Sequence, residues 1–148
     1  MDSVLIYTDG GCDNNGTKIG GWGVYLMYLE HRKKLNGGQK DTTSNRMELT
    51  AAIKALKALK HNKLKVKLHS DSQYLIKGMN EWHKAWLKNN WKSSTGKDVV
   101  NRDLWEALVA LNKKFDIEWI WVRGHNGDIC QEQAHTLADE AMRKLRKY

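Results

Sequence analysis

Three acidic residues stand where a carboxylate could do chemistry. Asp9 follows the β-rich run Val4–Tyr7 and opens Asp9-Gly10-Gly11, while Asp71 follows the alternating Val66, Lys67, Leu68, His69 and sits in Ser70-Asp71-Ser72. Each is thereby expected at the C-terminal end of a strand, where α/β sheets place ligand sites. Glu48 follows Asn45-Arg46-Met47 in the first turn of an expected helix, from which it could point across the sheet to the same edge. Carboxylate oxygens gathered at one edge are hard donors suited to a cation. Taken singly, each residue has a plainer role. An aspartate in a glycine-rich turn forms the turn, and a glutamate at a helix start favours the helix dipole.

The elements that would carry them follow from periodicity. The run Gly21–Leu29 has strand character, and Leu49, Ala52, Ile53, Leu56 and Leu59 form one apolar helix stripe with Lys54, Lys57 and Lys60 opposite. A helix is expected from about Ser72, another over Arg102–Asn112, a strand through Ile117, Trp119 and Trp121, and a last helix carrying Ala134, Leu137, Ala138, Ala141, Met142 and Leu145. The order strand, strand, strand, helix, strand, helices, strand, helix indicates an α/β architecture on a mixed sheet, an antiparallel meander followed by crossovers. At 148 residues, without a proline, a repeat or a composition break, the chain reads as one domain over 1–148. No apolar run approaches the ~20 residues needed to span a bilayer, and the N-terminus lacks a signal-peptide layout, so a cytoplasmic location is expected. Cys12 and Cys130 have no metal-site spacing and are expected to be free thiols.

Net charge is +8, and it is unevenly spread: the stretches 31–40, 54–67 and 82–97 hold fourteen of the 25 basic residues and none of the 17 acidic ones. Basic segments on an otherwise acidic chain suggest a polyanionic partner. Lysines at helical spacing, as over 54–67, equally mark a solvated face.

Four motifs in order, Tyr7-Thr8-Asp9-Gly10-Gly11-Cys12, Ser44-Asn45-Arg46-Met47-Glu48-Leu49, His69-Ser70-Asp71-Ser72-Gln73-Tyr74 and Val122-Arg123-Gly124-His125, closely resemble ribonuclease H of type 1, over nearly the whole chain. The resemblance implies a ribonuclease H-like fold with a five-stranded mixed sheet flanked by helices. It also implies endonucleolytic cleavage of the RNA strand of an RNA/DNA hybrid, giving 5′-phosphate and 3′-hydroxyl ends. Asp9, Glu48 and Asp71 match the family's metal-binding carboxylates. Two Mg²⁺ ions ~3.5–4 Å apart could neutralise the phosphate, generate the nucleophile and stabilise the leaving oxygen. Mn²⁺ is the alternative ion. His125 matches the family's mobile histidine near the scissile phosphate, with a part in proton transfer or product release.

The sequence departs from the family at its fourth acidic position, where His135 stands in place of Asp, and Gln131 replaces the usual Asn. An imidazole can bind metal but is softer than a carboxylate and uncharged when neutral, which implies a shift toward Mn²⁺. Glu132 and Asp139 share a helix face with His135 and could compensate, although spacing favours His135 as catalytic and metal residue.

For the substrate, Trp82, Trp86 and Trp91 interleave with Lys84, Lys88 and Lys92, a pattern that suits a nucleic-acid backbone. The segment resembles the family's basic protrusion, which grips the DNA strand. Trp82 is expected to pack the segment onto the domain, and Trp86 and Trp91 to meet the hybrid. Asn15 and Thr43 match positions that hold a DNA-strand phosphate, and Cys12, Asn45 and Gln73 match positions that read the wide minor groove. Arg46 could contact phosphate or pair with a local acid. A monomer is expected, with no membrane partner. The alternatives are a catalytically weak or silent hybrid-binding module of the same fold, and a DNA-directed nuclease sharing the architecture.

Overall fold

A computed structural model describes residues 2–124 and 127–147. The chain begins with three antiparallel strands, β1 (Val4–Cys12), β2 (Gly20–Tyr28) and β3 (His31–Gln39), followed by helix α1 (Ser44–Lys57) and strand β4 (Lys65–Ser70). Helix α2 (Gln73–Lys77) continues through a π-helical turn, Gly78–Trp82, into α3 (His83–Lys88), and α4 (Arg102–Asn112), β5 (Asp116–Trp121) and α5 (Ile129–Arg146) complete the order. The sheet runs β3-β2-β1-β4-β5, with β1, β4 and β5 parallel. This is the expected mixed sheet of five strands, and both cysteines are free. Among the described residues no helix is long and apolar enough to cross a membrane.

Strand alternation sends Ile6, Val24 and Leu68 into one core with Leu49, Ala52 and Leu56 of α1 and Trp105 and Leu108 of α4. The α1 stripe is thus buried as its spacing requires, and α4 has the bounds expected of it. Helix α5 packs on the other face of β2, where glycines leave room for it. A Cβ on Gly23 would collide with the Ala134 carbonyl and lie 2.7 Å from the Ala138 nitrogen. One on Gly21 would lie 2.5 Å from the Ala138 carbonyl oxygen. Arg146 at the end of α5 closes a bidentate pair with Asp13, just beyond β1.

Two sequence-based boundaries move. Asp9 lies inside β1 and not after it, because Gly10, Gly11 and Cys12 continue the ladder opposite Trp22, Gly21 and Gly20. Glu48 is the fifth residue of α1 and not in its first turn, because the Thr43 hydroxyl caps the helix earlier by accepting from Arg46 N–H at 3.1 Å.

The aromatic segment also packs differently from expectation. Trp91 is 7% exposed and belongs to the core, whereas Trp82 is 37% exposed. The reason is a chain of rings: Trp86 lies 6.0 Å from Trp82, 6.0 Å from Trp91 and 5.1 Å from Trp105, which itself meets Tyr74 at 5.2 Å. Such contacts bury aromatic area that a basic, aperiodic stretch does not reveal. Trp105 fits because it covers Gly78, where any Cβ would clash with its indole.

Replacing Gly23 by alanine should lift α5 from the sheet and cost about 1–3 kcal/mol, read as a lowered urea midpoint. An unchanged midpoint would show that α5 is free to shift.

Candidate metal centre

The parallel register of β1 and β4 pairs Thr8 with Ser70, so the next residues, Asp9 within β1 and Asp71 just past β4, come side by side. Glu48 arrives from α1 because Gly10 has no side chain: a Cβ there would clash with the Met47 backbone and lie 2.5 Å from Glu48 N. The Gly10 amide in turn favours the charged form of both Asp9 and Glu48. Asp71 is placed by two residues that sequence reasoning did not single out. The Trp121 indole N–H donates to its carbonyl at 3.2 Å, and a Cβ on Gly124 would lie 3.0 Å from its Oδ2. Their signals were that Trp121 ends the expected strand and that Gly124 belongs to the motif Val122-Arg123-Gly124-His125.

Donor atoms of Asp9, Glu48 and Asp71 all lie within 4.8 Å of one another, in a pocket of about 250 Å³ that His135 and Asp139 of α5 also line. A larger cavity of about 580 Å³ lies at the other end of the sheet, between Val4, Leu26, Leu59 and Leu64, and no acidic residue lines it. The chemistry therefore belongs to the smaller pocket.

Asp9 and Glu48 are 7% and 8% exposed. Burial, then the charge of Asp71, raises the Asp9 carboxyl to about 6, against the pull of His135. Burial and the charges of Asp9 and Asp71 raise Glu48 well above the usual carboxylate range. Glu48 Oε1 is buried and has no hydrogen-bond partner among the described residues. Buried negative charge with an orphaned oxygen fits a hard divalent cation, which would supply both the missing charge and the missing partner.

His135 joins the group through Asp9, its Nδ1 lying 2.9 Å from Asp9 Oδ2, and this contact raises the imidazole above its ordinary range. Gln131 steadies α5 nearby by donating from Nε2 to the Thr8 carbonyl at 2.8 Å. His125 lies outside the described residues.

The expected substrate residues fall into two groups. Asn45, Gln73, Lys84 and Lys88 are exposed, and Trp86 is half-buried. The others have local partners. Lys92 pairs with Asp98 at 2.6 Å, Thr43 caps α1, Asn15 accepts from Thr17, and the Cys12 thiol faces the Thr42 carbonyl at 3.4 Å. The two readings of Arg46 meet a clear geometry, since its guanidinium forks onto Asp103 at 3.1 and 2.7 Å and also reaches Asn101. Asn101, held in the left-handed region at φ 62°, passes the connection to the Tyr74 hydroxyl, which also accepts from Trp105.

A mixed sheet whose parallel strands bring carboxylates together at one end, joined there by a glutamate from the following helix, defines the ribonuclease H-like class. The RNase H family model matches residues 1–143. Over 145 residues the chain is 49% identical to the ribonuclease H of Ruthia magnifica subsp. Calyptogena magnifica, spanning 98% of this chain and 99% of that one. It is 50% identical to that of Dechloromonas aromatica (strain RCB), with 98% and 97% covered. Among solved structures it is similar to LC9-RNase H1, a type 1 RNase H with the type 2 active-site motif, at TM-score 0.88 and 31% identity over 97% of this chain and 74% of that one. The chain belongs to the RNase H family.

The raised Asp9 carboxyl has a consequence for stability. A carboxyl whose folded value exceeds its unfolded one favours folding at low pH, and this contribution is lost as pH climbs from about 4 through about 6. In chelator, stability should therefore fall between pH 5 and 8 by on the order of 1–1.5 kcal/mol more in the parent protein than in Asp9→Asn, as measured by urea unfolding. Equal pH slopes would refute this electrostatic picture of the pocket.

Proposed function

We propose that this chain is an endonuclease that hydrolyses the RNA strand of RNA/DNA hybrids, leaving 5′-phosphate and 3′-hydroxyl ends. The observation that carries the reading is the convergence of Asp9, Glu48 and Asp71 within 4.8 Å in a pocket of a ribonuclease H-family fold. A solved relative of the same fold, LC11-RNase H1, was crystallised in complex with RNA/DNA hybrid, at 20% identity and TM-score 0.74.

Asp9, Glu48 and Asp71 would hold divalent cations, two Mg²⁺ ions with substrate present, or Mn²⁺ in their place. Bound there, such ions supply charge neutralisation at the phosphate, a nucleophile near neutral pH and a stabilised leaving oxygen. The chain's own contribution is placement. Rigid neighbouring strands fix Asp9 and Asp71, and the Gly10 contact fixes Glu48, so the carboxylates need little reorganisation when charge develops. His125, by its match to the family's histidine, would move a proton at the leaving oxygen or assist product release.

The protrusion formed by α3 and the following loop would hold the DNA strand. Lys84 and Lys88 are exposed cations on α3, and Trp82 and Trp86 offer ring surface beside them. Asn45 in the first turn of α1 and Gln73 at the start of α2 stand three residues before Glu48 and two after Asp71, and are exposed, so they could read the minor groove. Recognition through groove shape and phosphates carries little base information, so sequence preference should be low.

Labelled RNA/DNA, RNA/RNA and DNA/DNA duplexes incubated with Mg²⁺, Mn²⁺ or chelator test the proposal. RNA in the hybrid should be cut, chelator should abolish cutting, and Asp9→Asn should lower the rate at least ~100-fold. Binding of hybrid without cleavage would instead support the silent module, and cleavage of DNA/DNA would support a DNA-directed enzyme.

A further inference from the structure

We propose that Trp121 and Lys77 form a subsite for the RNA strand next to the cut, the indole packing on a ribose and the ammonium pairing with a phosphate. The inference rests on the nuclease reading of the acidic pocket and adds where the cleaved strand lies once it has passed that pocket.

Strand alternation puts Trp121 on the same face of β5 as Trp119, yet the two rings differ in cover. Trp119 is 7% exposed and donates its indole N–H to Asn112, whereas Trp121, the last residue of the strand, is 42% exposed. The Trp121 N–H is bonded to the Asp71 carbonyl at 3.2 Å, which fixes the ring beside a pocket carboxylate. Its exposed surface is thus held in place before a ligand arrives, and docking on it costs little ordering.

The ring lines a groove of about 230 Å³ together with Gln73, Ile76 and Lys77 of α2. Ile76 is buried and supplies apolar surface, while Gln73 and Lys77 are exposed and four residues apart, on one side of the helix. No acidic residue lines the groove, so Lys77 sets its charge.

The occupant follows from the position. A phosphate that reaches Asp71 belongs to the strand being cut, and the groove begins one hydrogen bond away from Asp71. The next unit of that strand is a ribonucleotide, whose sugar faces the wide minor groove with its 2′-hydroxyl and its C–H surface. The indole suits the C–H surface, the Gln73 amide the hydroxyl and the Lys77 ammonium the following phosphate.

Fluorescence anisotropy of a labelled RNA/DNA hybrid with the full chain in chelator, where nothing is cut, tests the subsite. Trp121→Ala should weaken binding about tenfold, and Trp121→Phe, which keeps a ring and loses the N–H, should stay within about threefold of the parent. Lys77→Ala should reduce the log–log salt slope by about one. Lys77→Cys carrying a benzophenone should crosslink to the RNA strand of the hybrid. Trp121→Ala binding within threefold of the parent, Trp121→Phe as weak as Trp121→Ala, an unchanged slope in Lys77→Ala, or crosslinks confined to the DNA strand would each overturn the proposal. Should Trp121→Ala not fold, the slope and the crosslink decide. Cleavage in Mg²⁺ is scored separately. Cleavage of the hybrid with crosslinks confined to the DNA strand would overturn the subsite and leave the nuclease reading standing, and RNA-strand crosslinks without cleavage would do the reverse.

Discussion

Asp9 and Asp71 stand together because β1 and β4 are parallel neighbours in register, and Glu48 reaches them because only a glycine separates α1 from β1. Like charges at this spacing repel, and burial removes the water that would screen them. A fold left to optimise its own stability would not gather them. The arrangement persists because the rigid sheet and the buried α1 stripe fix the backbone on which each carboxylate rides, and a bound cation would offset the cost. Much of the surrounding detail serves that constraint: the Gly10 amide favouring charge on two of the acids, Trp121 and Gly124 placing the third, and His135 bonded to Asp9 from α5.

The protrusion is tied to this centre through α1. Arg46 lies two residues before Glu48, and its bonds to Asp103 and Asn101 reach the start of α4, from which the Tyr74 hydroxyl links onward to Trp105 and the ring cluster beneath α3. The arginine is thus more than an isolated surface cation. Through it the helix carrying a pocket carboxylate and the segment expected to grip the DNA strand share one polar network over a common aromatic base. The other two basic stretches lie elsewhere: 31–40 contains the whole edge strand β3, and 54–67 spans the end of α1, the loop and the first half of β4.

Most of this was legible in the sequence where local pattern and tertiary role agree. The α4 boundaries follow from Leu104, Trp105, Leu108 and Leu111 at helical spacing, and Asp71 does stand just past its strand. Legibility failed where a distant partner decides. Gly10-Gly11 looks like a turn in isolation and becomes strand because β2 pairs with it, Trp22 and Gly21 standing opposite. Trp91 sits among lysines and resembles a surface ring, yet Trp86 and the core draw it inward. The π-helical turn has no periodic signature of its own, and the indole of Trp105, 27 residues downstream of Gly78, packs on its first residue. At the acidic site the residue types were readable, whereas the glycine and indole contacts that hold the carboxylates in place depend on the fold.

The central claim is that the pocket holds more negative charge than its protein surroundings can satisfy and that a divalent cation completes it. Titrating the Glu48 carboxyl by ¹³C nuclear magnetic resonance, in chelator and then with saturating Mg²⁺ or Mn²⁺ exchanged for a diamagnetic ion such as Zn²⁺, measures this at the residue most affected. The account predicts a value well above the ordinary glutamate range of about 4.3 in chelator, falling when the ion binds. An ordinary value in chelator that ions leave unmoved would contradict it.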